Sequence, residues 1–134
     1  MIYILDASAM IAFLRDERGA DVVAEVFLDP DSQCHAHALN LCEVFYDFHR
    51  ASGLRDAKQA IADLSRAGVI EDASLASVTW QAAGILKANL RRVSLADCFA
   101  IELTQRMNGV VLTADHHEFD VLAAQSLCRI SFIR

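Results

Sequence analysis

SLADCFAIELTQRMNGVVLTADHHEF occupies residues 94–119. Residues 95–107 carry apolar side chains at helical spacing, and VVLTA (110–114) is a short β-branched run that suits a buried strand. The helix opens on Ser94 with Asp97 three residues on, and Asp115 follows the strand directly. One acid therefore stands at a helix start and another just past a strand end.

Working outward, IYIL (2–5) is a second buried strand, and it too runs into an acid, Asp6. SQCHAH (32–37) and ISFI (130–133) are further strand candidates, and helical patterns cover about 8–15, 19–28, 39–51, 55–67, 75–91, 95–107 and 117–125. Strands alternating with helices predict an α/β sandwich with a mostly parallel sheet. The length of 134 residues suits a single domain over 1–134. One proline, Pro30, and five glycines leave little room for linkers, and the chain contains no repeat.

Hydrophobic residues make up 54% of the chain, yet no apolar run approaches the ~20 residues of a membrane span. A soluble protein is expected. The N-terminal stretch lacks a basic leader and is divided by Asp6, so it is a first strand rather than a signal peptide. Cys34, Cys42, Cys98 and Cys128 form no C-x-x-C pair, which suits buried free thiols in the cytoplasm. A net charge of -6 excludes a protein that grips nucleic acid by positive field alone.

Ligands of parallel α/β sheets bind beyond the carboxyl ends of the strands. Asp6 and Asp115 lie there, and two helix-opening acids, Glu43 in NLCE and Asp97 in SLAD, point toward the same rim. Each has an ordinary reading. Asn40 with Glu43 and Ser94 with Asp97 fit capping boxes, and Asp6 and Asp115 fit helix caps. Together, four carboxylates from four segments repel one another, and the only lysines, Lys58 and Lys87, lie elsewhere. A hard divalent cation with oxygen ligands relieves that repulsion.

Other chemistries lack their residues. A haloacid-dehalogenase phosphatase needs a second Asp where Ser8 stands, a receiver domain needs a late Lys, and no phosphate loop, dinucleotide fingerprint or nucleophile elbow is present. His35, His37, His116 and His117 are assigned structural roles. Trp80, Ile85 and Leu86 are expected on the buried face of a helix. Metal-assisted phosphoryl chemistry remains.

With IYILDASAMIAFL, NLCEVFYDF and residues 94–119 in place, nearly the whole chain resembles the PIN-domain ribonucleases, especially the VapC-type toxins of toxin–antitoxin pairs. The resemblance implies a three-layer α/β/α sandwich with a short, mostly parallel central sheet. It carries an acidic catalytic and metal-binding quartet onto Asp6, Glu43, Asp97 and Asp115, with Ser8, Asn40 and Thr113 as supporting polar groups. Asp6 and Asp97 are first choices to hold Mg2+ or Mn2+. Two histidines stand between Asp115 and Glu118, where many members carry an acid, so Glu118 and Asp120 receive no role. The implied activity is endoribonuclease cleavage leaving 5'-phosphate and 3'-hydroxyl ends, with Arg50, Arg55, Arg91 and Arg92 as candidates to steer the RNA. The implied partners are a VapB-like antitoxin and a second copy in a homodimer. A non-catalytic PIN-like binding module and a nuclease acting on DNA are the alternatives.

Overall fold

The computed structural model describes residues 1–134. In chain order the elements are β1 (Ile2–Leu5), α1 (Ala7–Leu14), α2 (Ala20–Leu28), β2 (Gln33–His37), α3 (Ala38–Ser52), α4 (Leu54–Ala67), β3 (Val69–Asp72), α5 (Ser77–Asn89), α6 (Leu95–Met107), β4 (Val110–Thr113), α7 (His116–Gln125) and β5 (Arg129–Phe132). The strands form one sheet in the order β3-β2-β1-β4-β5, and every neighbouring pair is parallel. From β1 the chain builds outward through β2 and β3 on one side, then through β4 and β5 on the other. The β1/β4 boundary is thus the switch point where such sheets open a crevice.

Side-chain alternation along the strands divides the core into two faces. Leu5 and Leu112 point to one face and pack with Met10, Val23, Val44 and Leu64 from α1 to α4. Val111 points to the other and packs with Ala83, Phe99, Ile101, Phe119 and Leu122 from α5 to α7, while Ile4 meets Ala100 and Leu103 of α6. The result is the expected α/β/α sandwich. No helix is long and apolar enough to cross a membrane.

Three details differ from the expectations. Strand β3 has no apolar run because it is an edge strand: Val69 is buried, but Ile70 is half exposed and Glu71 faces solvent. Trp80 and Ile85 are 50% and 64% exposed, because α5 turns its Thr79, Ala83, Leu86 stripe inward and the small Thr79 and Ala83 let it lie close on α6. Cys42 is exposed, whereas Cys34 and Cys98 are buried.

Candidate metal centre

Leu5 pairs with Leu112, so the next residues along these central strands, Asp6 and Thr113, stand side by side at the end of the sheet. The Asp6 carboxylate is 1% exposed and filled with donors. Its Oδ1 accepts from Ser8 Oγ at 2.7 Å and from the Ala9 N–H at 2.9 Å, and its Oδ2 accepts from Thr113 Oγ1 at 2.5 Å. The cap of α1 and a tie between β1 and β4 are thus made by one side chain. A carboxylate has about four lone-pair sites, so one remains open on Oδ2. Ser8 Oγ also accepts the Ala114 N–H, and Thr113 Oγ1 the Asp115 N–H, both at 2.9 Å.

Helix α6 begins with Ser94 Oγ accepting the Asp97 N–H at 3.2 Å. In a full capping box the Asp97 carboxylate would reach back to the Ser94 N–H. That N–H instead donates to Glu118 Oε2 at 3.4 Å. Asp115 caps α7 by accepting the Glu118 N–H at 3.0 Å, which turns the Glu118 side chain toward α6. Carboxylate oxygens of Asp97, Asp115 and Glu118 lie within 4.8 Å of one another. Glu118 is therefore a member of the acidic group that the sequence left without a role. The spacing Asp115-x-x-Glu118 is itself a capping-box signal, although its partner proved to be Ser94.

Helix α3 starts three residues earlier than a cap at Asn40 requires. His37, fully buried, takes the cap by accepting the Leu39 N–H on Nδ1 at 3.2 Å, and its Nε2 hydrogen bonds the Ser74 carbonyl. Asn40 with Glu43 is thus no capping box. Asn40 is buried inside the helix, where Nδ2 donates to the Ala96 carbonyl at 3.1 Å, linking α3 to the start of α6. Its Oδ1 is buried without a partner.

Burial and mutual repulsion act on the acids in the same direction. Burial pushes Asp6 up to about 6 against the pull of its three donors, with the charge of Asp115 adding to the rise. Glu43 is raised by burial and then by the charges of Asp6, Glu118 and Asp115. Asp97 is raised by burial, by a hydrogen bond with Glu118, and by the charges of Asp6, Glu118 and Glu43. Those influences place all five carboxylates in one electrostatic group. Every arginine ion pair in the protein is made elsewhere, at Asp47, Asp63, Asp72, Glu102 and Glu17.

This donor set fits a divalent cation. It is all oxygen, it lacks a basic counter-charge, and no histidine or cysteine belongs to it, which suits Mg2+ or Mn2+ over zinc. Asp97, Asp115 and Glu118 can reach one ion. Asp6, with one free lone pair, and Glu43 lie outside that group of three and are linked to it through charge. Of the four arginines picked from sequence, Arg91 and Arg92 line a pocket that includes Glu118. Arg50, over the Tyr46 ring in the last turn of α3, and Arg55, in the first turn of α4, do not.

A family model described as PIN domain matches residues 3–125. A comparison with the curated proteins gives no match. DNA-bound VapBC from Salmonella typhimurium shares 15% identity at a TM-score of 0.72, over 100% of this chain and 99% of that one. VapBC-1 from nontypeable Haemophilus influenzae shares 18% at 0.70, over 99% and 98%. VapC20 from Mycobacterium tuberculosis, a sarcin-ricin loop cleaving toxin, shares 16% at 0.69, over 89% and 94%. At these identities the likeness is one of fold.

Proposed function

The chain belongs to the PIN domain family, and on that premise we propose that it is a metal-dependent endoribonuclease, the VapC-type toxin of a toxin–antitoxin pair. The observation that carries this reading is the group of Asp97, Asp115 and Glu118, three converging carboxylates with no cation paired to them. Solved structures of like fold include VapBC complexes and one cleaving toxin, which supports a VapB-like antitoxin as the partner. The protein acts as one domain over residues 1–134, in the cytoplasm and as a homodimer. Exposed Val78, Trp80 and Ile85 supply apolar surface for that pairing.

Asp97, Asp115 and Glu118 would hold Mg2+ or Mn2+, with Asp6 offering its remaining lone pair. The bound ion would lower the pKa of water and offset charge on the phosphate. Ser8 and Thr113 fix the Asp6 carboxylate, and Asn40 fixes the start of α6 against α3, so the acids keep their positions while RNA comes and goes. Glu43 orients the attacking water and takes its proton on a carboxylate oxygen. In-line attack on phosphorus then breaks the bond to the 3'-oxygen, which leaves with the bonding pair and takes a proton from solvent, giving 5'-phosphate and 3'-hydroxyl ends.

Incubation of the purified protein with labelled RNA and DNA, in Mg2+, Mn2+ or EDTA, tests this. RNA should be cut only with metal, and Asp97→Asn should cut at least about a hundredfold more slowly. Cleavage in EDTA, or an Asp97→Asn variant at full rate, would overturn the mechanism. Preference for DNA would replace the substrate, and binding without cleavage would make this a binding module.

A further inference from the structure

The turn from α5 to α6 contains Leu90-Arg91-Arg92-Val93. Leu90 and Val93 are 7% and 3% exposed and sit in the same core cluster as Phe119 and Leu122 of α7, while the arginines between them stand in solvent. Lys87 Nζ donates to the Arg91 carbonyl at 3.0 Å and to the Val93 carbonyl at 2.8 Å. Two buried anchors and one ammonium therefore fix the backbone that presents the pair. Neither guanidinium forms an ion pair, although Glu118 lines the same pocket.

That pocket has a volume of about 200 Å3. Asn89, Arg91 and Arg92 wall it on one side, and His117, Val121 and Gln125 of α7 on the other. Glu118 is common to this pocket and to the acidic group with Asp97 and Asp115. The pocket is smaller than the roughly 300–1,000 Å3 of sites for drug-sized ligands, and it suits a single flat ring. Unpaired guanidinia present planar forks that match phosphate oxygens. The amides and the imidazole offer donors and acceptors to a base edge, and Val121 offers an apolar contact.

We propose that this pocket is a nucleotide subsite, in which Arg91 and Arg92 hold a phosphate flanking the scissile one and the α7 wall takes the adjacent unstacked base of single-stranded RNA. This rests on the nuclease reading above and deepens it. A duplex keeps its bases stacked and paired, so only a single strand or an open loop fills the subsite. The arrangement also explains how a chain of charge -6 draws in a polyanion. The arginines attract the flanking phosphate at the rim, and the repelling carboxylates lie beyond them.

Fluorescence anisotropy with a short unstructured RNA, in EDTA so that nothing is cut, tests the subsite directly. Arg91→Ala/Arg92→Ala should weaken binding about tenfold and flatten the salt dependence by about 0.7, the slope of one lost phosphate contact on a single strand. Val121→Trp, which fills the pocket, should also weaken binding, and Lys58→Ala/Arg66→Ala, which likewise removes two charges but from α4, should not. Thermal melting in Mn2+ should show the same metal-induced rise in the double variant as in the unaltered protein. Equal losses for Arg91→Ala/Arg92→Ala and Lys58→Ala/Arg66→Ala, or duplex RNA held as tightly as single strands, would overturn the subsite. Metal-dependent cleavage beside unchanged Arg91→Ala/Arg92→Ala binding removes the subsite alone. Weakened binding with no cleavage in any metal supports the subsite and removes the nuclease reading.

Discussion

Glu118 Oε2 accepts the backbone N–H of Ser94, 24 residues earlier in the chain, and so occupies the place that local spacing reserves for Asp97. The Asp97 carboxylate, 8% exposed, is thereby freed from capping its own helix and left facing other acids. A local motif has been opened to build a shared site.

Glu118→Gln follows from that exchange. The amide oxygen can still accept the Ser94 N–H, while one of the converging charges is lost. Without metal the melting temperature should stay level or rise by about 2–4 °C, the shift that ~1 kcal/mol of relieved repulsion produces in a domain of this size. The gain in melting temperature on adding Mn2+ should shrink, and cleavage should fall about a hundredfold. Calorimetric titration with Mn2+ at unchanged affinity would show that Glu118 only holds α6 and α7 together.

Asp6→Asn should fold. The Thr113 hydroxyl can turn toward Ser8 Oγ, 3.3 Å away, and accept from the new amide, while the second amide N–H faces the neighbouring carboxylates. RNA affinity in EDTA should stay level or improve as the pocket repels phosphate less, while cleavage in Mg2+ drops by orders of magnitude. Full-rate cleavage by a folded Asp6→Asn variant would reduce Asp6 to a helix cap.

The metal-free protein should lose stability as pH rises, opposite to the behaviour of salt-bridged carboxylates. Asp6 is raised from 3.8 to about 6, so between those values the folded state holds a proton that the unfolded state has released. Stability then falls with pH across that window by up to about 3 kcal/mol, and the raised Glu43 and Asp97 act in the same direction. Urea unfolding in EDTA at about pH 4 and about pH 7, which together span that window, should show the decline, and Mg2+ should oppose it. A metal-free protein more stable at the higher pH would contradict this account of the acids.

Thr113→Val keeps shape but removes the donor to Asp6 Oδ2 and the acceptor of the Asp115 N–H. Two buried or half-buried polar groups lose their partner, so urea unfolding should report a loss of about 1–3 kcal/mol. Thr113→Ser should recover most of it. A loss of equal size in Thr113→Ser would locate the effect in the missing methyl rather than the hydroxyl.

Much of this was legible in the sequence because the central strands are. IYIL and VVLT are buried on both faces, so each is a continuous apolar run that leads into its acid. Edge strand β3 has one wet side and no such run. Trp80 and Ile85 misled because size suggests burial, whereas α5 packs through Thr79 and Ala83. Asp6, Asp97 and Asp115 are marked by strand ends and caps within a few residues. The partner of Glu118 exists only after α6 and α7 have packed, and nothing in local spacing distinguishes Arg91 and Arg92 from Arg50 and Arg55.

The three hydrogen bonds at Asp6 bear on how such a centre is controlled. Partial openings of a domain begin at frayed ends and edges, and they reach the middle of the sheet only near the cost of complete unfolding. Asp6 belongs to the innermost strand pair, where its N–H also bonds the Leu112 carbonyl at 3.2 Å. Asp6 therefore has no inexpensive melted state in which to rest inactive, and an agent that silences it has to occupy it.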